Sequence, residues 1–344
     1  MDNKLTEKQQ GLVAVAAYEA KGDLKGLEKA IHTALDGGLT VSEVKEALSH
    51  LYAYTGFPRS LNGLGTLQSV LEQRKKAGKN DREGREASPL APDYDAVKQG
   101  TEVQTQLRGG KPLTYTFAPS TDYYLKAHLF GDIFARDVLT FSERELVTVS
   151  ALASIEGVEP QLKSHVNGAR NMGLSDEEIH EIPAVLATHV GATEAYRAKK
   201  AIAEVYGEPF NEGKPVEHMI FPQGDPNVAY AKCFIGNSYL APLMKGSLSM
   251  SNVTFEPRCR NNWHIHHKSG QILICVGGEG WYQEWGKTAR LLKPGDVVDI
   301  PAEVKHWHGA TAHSWFQHIA ITIPTEGATN EWLEEVSDEA YDKL

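Results

Sequence analysis

Near Glu212 the chain changes its periodicity, and that change confines it to an architecture of unlike units. Before it, apolar residues recur at helical spacing, as in Val44, Ala47, Leu48 and Leu51, with breaks at Gly37-Gly38 and at Gly56-Phe57-Pro58. After it, glycine and proline become frequent, and ILICV (272–276), VVDI (297–300) and WFQHIAITI (315–323) are β-rich runs bounded by GGEG and KPGD. A chain of 344 residues fits two or three domains. The expected fold class is multidomain α+β: an all-α region followed by an antiparallel β-barrel or jelly roll.

The helical region contains the same unit twice. ALDGGLTVSEVKE (34–46) aligns with ARNMGLSDEEIHE (169–181), pairing Gly38 with Gly173, Leu39 with Leu174, Glu43 with Glu178 and Glu46 with Glu181 at an offset of 135. LVAVAA (12–17) and LVTVSA (146–151) stand at an offset of 134. Two copies in one chain suggest a pseudo-dimer in which each buries the other's apolar face. Between them, Glu72 to Glu86 holds ten charged residues in fifteen and is followed by Ser88-Pro89 and Pro92, which reads as a solvated linker. The expected division is a first helical repeat over 1–76, a linker over 77–118, a second repeat over 119–210, a β-barrel over 216–330 and an acidic C-terminal helix over 331–344.

Charge and cysteine content narrow the function classes. Thirty-five Lys and Arg against forty-five Asp and Glu give a net charge of −10 with no basic block, so nucleic acid is not an expected partner. The opening MDNKLTEKQQ has no apolar core of a signal peptide, and eighteen apolar residues nowhere run together, so the expectation is a cytoplasmic protein acting on a small molecule, away from membranes. The three cysteines, Cys233, Cys259 and Cys275, form no CxxC and no even framework, which argues against a disulfide scaffold and against thiol redox chemistry.

Histidine is the chemical signal. Seven of fourteen, at 264, 266, 267, 306, 308, 313 and 318, fall within 55 residues. His264 and His266 are two apart in WHIHHKSGQILIC, and the period of a strand puts both rings on one face, where they can converge on a metal. Gln271 can add a carbonyl oxygen. PGDVVDIPAEVKHWHGA brings His306 from another strand, and His308, two residues on, can face the same cavity as a proton carrier. Strand parity points His267 away, and His313 falls in an expected turn.

HxH with an acid or amide four to five residues later, a Gly-rich turn and then PGD…IP…H resembles the two signature motifs of the cupins, over roughly 220–325. The resemblance implies that His264, His266, Gln271 and His306 are metal ligands inside a small barrel. Gln271 stands where most cupins have Glu, and Glu303 stands where the second motif usually has Gly. A neutral amide leaves more of a divalent ion's charge uncompensated than a carboxylate would, which raises its Lewis acidity. HIHHKSGQILI with KHWHGA is particularly similar to the small manganese cupins that include bacterial hydroxynitrile lyases. That likeness implies manganese and a role for His308 and His318 on substrate. Three imidazoles and an amide oxygen also suit iron, nickel or zinc.

RELVTVSALASIEGVEPQLKSHVNGARNMGLSDEEI (144–179), with DYYLKAHLFGDIFARDVLTFSERELVTVSAL (122–152), resembles the carboxymuconolactone decarboxylase family, the AhpD-like helical fold. HTALDGGLTVSEVKEALSHLYAYTGFPRSLNGL (32–64) extends the likeness to about 8–205. Peroxidase members of that family carry CxxCxxxH with an upstream Glu as proton relay. Here His165 and Glu145 match, while the cysteine positions are Val158 and Gln161, so no thiolate nucleophile exists. What remains is an acid/base pair, Glu145 with His165. In the first repeat Glu43, Glu46, His50 and Tyr54 fall within about 80° of one another on a helix, one polar stripe that either lines a cleft or forms a solvated flank.

The function expected from these residues is a metal-dependent lyase or decarboxylase acting on a small oxygenated organic acid, hydroxynitrile or lactone-like molecule, with histidine as acid/base. A cysteine-less peroxidase or peroxiredoxin-like protein, and a non-catalytic small-molecule-binding cupin on an oligomerising helical scaffold, are the alternatives. Both resemblances imply a homo-oligomer.

Overall fold

The computed structural model describes residues 4–344 apart from 211, 212, 214, 215, 217 and 218. It divides into two compact units, Met1–Phe210 and Asn211–Leu344. The first is all helix and the second is an antiparallel β half-barrel of cupin type, as the two periodicities require. Among the described residues no helix is long and apolar enough to cross a membrane.

The helical unit contains α1 (Glu7–Lys21), α2 (Leu24–Asp36), α3 (Val41–Thr55), α4 (Phe57–Lys76), α5 (Ala96–Leu107) and α6 (Pro119–Tyr123), then a π-helix (Tyr124–Ile133). It continues with α7 (Phe141–Ala153), α8 (Glu159–Asn171), α9 (Asp176–His189) and α10 (Ala192–Tyr206). The internal repeat is built into the helix starts. Capping boxes open α1 (Thr6 with Gln9) and α7 (Thr140 with Glu143), and likewise α3 (Thr40 with Glu43) and α9 (Ser175 with Glu178). Before the second pair of helices, Gly38 at φ 96° and Gly173 at φ 107° hold the left-handed turn that glycine adopts without strain. Each then delivers a buried leucine, Leu39 or Leu174, to the core. α1 packs on both α7 and α9, and α3 on α7, so the two copies share one apolar core, as a pseudo-dimer does.

The segment 77–118, expected as linker, carries α5, which lies against the π-helix. A Cβ at Gly100 would sit 1.7 Å from the Lys126 carbonyl oxygen, so only glycine allows that approach. The charged stretch before it is solvated along nearly all its length, with Arg74 the exception: it is 4% exposed and bridges Asp36 at 2.8 Å and Asp81 at 2.6 Å. Its guanidinium is tied down because three charged groups from separate turns meet there.

In the second unit the strands are β1 (Asp225–Pro226), β2 (Phe234–Ile235), β3 (Ser238–Lys245), β4 (Ser249–Phe255), β5 (Arg260–Asn261), β6 (His264–His267) and β7 (Gln271–Gly278). They continue as β8 (Gly280–Glu284), β9 (Arg290–Leu292), β10 (Val297–Ile300), β11 (His306–Ala310), β12 (Phe316–Thr322) and β13 (Thr329–Trp332). One antiparallel sheet runs β1-β3-β4-β12-β7-β10 and the other β13-β6-β11-β5-β2, with β8 on β11 and β9 on β8. Phe255, Leu273, Ile300 and Phe316 pack in its core. The tail expected as one acidic helix begins as strand, because Thr329–Trp332 finds a free edge on β6. Only Asp338–Tyr341 is helical, and we label it α11.

Candidate functional site

Register brings the histidines of the β unit together. β6 pairs with β11 so that His264 and His306 are cross-strand partners, their rings 4.1 Å apart. The period of two adds His266 beside His264 at 5.0 Å and His308 beside His306 at 6.3 Å. Ligating atoms of His264, His306 and His308 lie within 4.8 Å of one another, and these three buried rings can hold a divalent metal. Burial among neighbouring imidazoles keeps all three neutral: His306 is pushed down to about 4, and His264 and His308 fall well below the usual histidine range. Neutral imidazole is the form that ligates.

The ring hydrogens are set by their acceptors. His264 Nδ1 is 2.9 Å from the Asn262 carbonyl, His306 Nδ1 2.9 Å from the Val304 carbonyl and His266 Nδ1 2.7 Å from Asn330 Oδ1. A carbonyl oxygen only accepts, so each Nδ1 carries the hydrogen and each Nε2 presents a lone pair. His266 Nε2, His306 Nε2 and Gln271 Oε1 are buried with no hydrogen-bond partner. Such orphaned acceptors are costly unless something outside the chain meets them.

A cavity of about 490 Å³ opens beside these groups. Its lining includes His264, His266, Gln271, His308 and His318, with Val253 and Phe255 on its apolar side. His318 reaches it from β12, packed at 4.8 Å edge-on to His308 and between Phe255 and Phe316. It is fully buried, both ring nitrogens lack partners, and burial pushes it down to about 3. Asn261 was not singled out by the sequence, yet its side chain meets His308 at both backbone and ring. Trp332 stacks on His264 at 4.7 Å. Neither belongs to a spaced pattern, so only the fold reveals them.

His313 sits exposed in a turn, as expected. His267 differs from expectation, since it lines the cavity mouth, where its ring joins Glu303 at 2.6 Å and Glu331 at 2.9 Å. Those two carboxylates raise its affinity for a proton. Glu303 occupies the left-handed region at φ 67°, which explains why glycine is the usual residue there. Its carboxylate also accepts the Lys268 N–H at 3.0 Å, contacts that glycine could not make.

The helical unit holds a second polar cluster. Glu145 is fully buried on α7 and lies 2.8 Å from His165 Nδ1 on α8, while its Oε1 has no partner. From α3, Tyr54 stands edge-on to His165 at 5.4 Å, and His50 lies 2.8 Å from Thr148 Oγ1. The Thr148 hydroxyl donates to the Arg144 carbonyl, so His50 Nε2 carries the hydrogen. Burial and the adjacent Arg144 keep His50 neutral. Of the polar stripe on α3, Glu46 pairs with Arg144 at 2.7 Å and joins the cluster, whereas Glu43 caps the helix and binds Lys8. Arg144 therefore serves Glu46 rather than its neighbour Glu145.

Residues 119–204 match the model of the carboxymuconolactone decarboxylase family. The chain is 38% identical over 115 residues, 32% of its length and 87% of the relative, to the (R)-mandelonitrile lyase of Granulicella tundricola. It is 25% identical over 120 residues, 33% of its length and 89% of the relative, to the 4-carboxymuconolactone decarboxylase of Acinetobacter baylyi. Among solved structures, a cupin-like protein from Thermotoga maritima is 41% identical, with 36% of this chain and 96% of that one covered at a TM-score of 0.34.

Proposed function

Because the chain belongs to the family of the Granulicella tundricola (R)-mandelonitrile lyase, we propose that it is a metal-dependent lyase that cleaves the bond next to an oxygen-bearing carbon of a small organic molecule. A 2-hydroxynitrile is the substrate to try first, and a small hydroxy or oxo acid is the wider class. The observation that carries the proposal is the trio of orphaned acceptors, His266 Nε2, His306 Nε2 and Gln271 Oε1, beside a His264 ring turned the same way by its own Nδ1 contact. Three imidazoles and an amide oxygen fit a divalent first-row ion, manganese, iron, nickel or zinc, and manganese is the one to try first.

When bound, the ion supplies Lewis acidity toward an oxygen of the substrate. Negative charge developing on the substrate oxygen restores to His318, whose two nitrogens have no partner, the proton affinity that burial had lowered to about 3, and the ring takes the hydroxyl proton. The carbon–carbon bond to the nitrile carbon then breaks, its electron pair leaves with cyanide, and the carbonyl forms. His318 returns the proton to cyanide, so hydrogen cyanide and an aldehyde are the products and the imidazole is unchanged. Val253 and Phe255 keep this side of the cavity apolar, which strengthens each polar contact inside it.

Metal analysis of the purified protein and mandelonitrile cleavage measured with added manganese test the reading. His306→Ala is expected to lower metal content at least tenfold and to abolish turnover. A wild-type protein that retains no divalent metal after expression in any metal-supplemented medium overturns it.

In the helical unit we propose that Glu145 and His165 form a separate acid/base site, supported by their 2.8 Å contact and by the free Glu145 Oε1. Its substrate is a carbon acid next to a carbonyl, of the size of a muconolactone. Proton–deuterium exchange into such a lactone, lost in Glu145→Gln and unaffected by His306→Ala, is the expected result. Exchange that persists in Glu145→Gln rejects it.

A further inference from the structure

Two polar atoms of the helical cluster are buried without a partner, and they are of opposite kinds. Glu145 Oε1 is an acceptor, since the other carboxylate oxygen already meets His165 Nδ1 at 2.8 Å. The Tyr54 hydroxyl is a donor. It reaches the cluster from the first repeat, because α3 packs on α7 and sets the phenol ring edge-on to His165 at 5.4 Å. Its ring is held in place by His50 at 5.3 Å and by the apolar cluster of Leu107, Phe130 and Phe134. Thr148 gives the phenol no full bond, for its hydroxyl already donates to the Arg144 carbonyl and meets His50, each at 2.8 Å. Burial and the Glu145 charge both raise the phenol's hold on its proton, so it remains a donor. An unmet donor and an unmet acceptor that do not satisfy each other call for a ligand carrying an acceptor oxygen beside an acidic hydrogen. A carbonyl group and its neighbouring C–H are that pair.

We propose that the site is composite: Tyr54 of the first repeat is a further catalytic residue, whose hydroxyl donates to the substrate's carbonyl oxygen as Glu145 of the second repeat removes the adjacent proton. The proposal rests on the acid/base reading of Glu145 and His165 for the reaction, and on the two orphaned atoms for the role of Tyr54. Glu145 Oε1 takes the proton, the C–H electron pair becomes a carbon–carbon double bond, and the carbonyl π pair moves onto oxygen as an enolate. Tyr54 keeps its own proton and stabilises that charge through the hydrogen bond. Return of a proton from Glu145 to carbon restores the carbonyl compound. Solvent hydrogen enters through His165, whose side chain is 12% exposed while that of Glu145 is 0%.

Tyr54→Phe keeps the ring and its packing and removes only the hydroxyl. Deuterium exchange into α-angelica lactone, an unsaturated five-membered lactone, is expected to fall at least tenfold in kcat, with KM within about threefold. A second measurement needs no turnover. Glu145→Gln mimics the base after it has taken the proton, and in that variant para-nitrophenolate, a stable stand-in for the enolate, is expected to bind, as read from its visible absorbance. Adding Tyr54→Phe should weaken that binding at least tenfold. Equal nitrophenolate affinity with and without the hydroxyl, or no binding to Glu145→Gln at all, overturns the proposal and leaves the two orphaned atoms to a bridging water. Hydroxyl-dependent binding in a protein that exchanges no lactone proton would keep Tyr54 as the oxygen's donor and reject the acid/base reading of Glu145 and His165 instead.

Discussion

Glu19 shows how one buried carboxylate sets a pH response. It is 1% exposed on α1, one oxygen accepts from Thr55 Oγ1 at 2.9 Å, and the other has no partner. Burial pushes it up from 4.5 to about 7. An acid raised in the folded state holds its proton there while the unfolded chain has already released it, so stability is greatest below pH 4.5 and declines as pH rises toward about 7. Glu19→Gln removes that decline and is expected to stabilise the helical unit by about 1–3 kcal/mol at pH 8 while changing little at pH 4. Urea unfolding at the two pH values measures it, and equal effects at both would reject it. Single residues are also where the sequence is most and least legible. His264, His266 and His306 stand out because a strand's parity and a turn dictate their convergence. Asn261, Arg144 and Trp332 carry no spacing of their own and reach the clusters through partners 47, 98 and 68 positions away, distances that no local pattern encodes.

Among the helices, the repeat is symmetric in its caps and asymmetric in its chemistry. The same offsets that pair Thr6 with Thr140 and Gly38 with Gly173 place Gly11 opposite Glu145, Ala14 opposite Thr148, Ala30 opposite His165 and His189 opposite Tyr54. Gly11, Ala14, Ala30 and His189 line a cavity of about 570 Å³. The pseudo-symmetric counterpart of the acid/base cluster is therefore a space where three polar side chains have become glycine or alanine. Gly11 cannot easily grow, since a Cβ there would lie 3.0 Å from the Ala34 Cβ. Ala30→Leu projects into the open volume, and it is expected to raise stability by up to about 1 kcal/mol without affecting exchange at Glu145. A loss of more than about 1 kcal/mol would mean that the cavity cannot accept a side chain from α2. The caps carry the opposite expectation: Ser175→Ala removes an N-cap and should cost about 1 kcal/mol in thermal unfolding. The repeat was legible because helix starts use few residue types; the vacated site was not, because a missing side chain leaves no motif.

For the molecule as a whole, the two units answer to different variables. The helical unit owes its stability to one shared apolar core of Leu, Val, Ile and Ala. The β unit keeps orphaned acceptors and a cluster of neutral imidazoles whose cost a bound ion would offset. Manganese at about one hundred times its dissociation constant should therefore stabilise the β unit by about 2.7 kcal/mol, since it binds the folded site and has little affinity for the unfolded chain. The helical unit contributes no residue to that set and should be indifferent. Circular dichroism reports the two transitions separately, at helical and strand wavelengths, as the metal is added and then withdrawn with a chelator. Acid acts first on the metal-free unit: below about pH 6.5 the unfolded chain takes up protons that the buried imidazoles refuse, so stability falls with pH, while the metal's increment is kept until His306 itself protonates near pH 4. A metal-dependent rise in the helical transition equal to that in the β transition would show that the two units unfold as one, and it would remove the basis for assigning each its own chemistry.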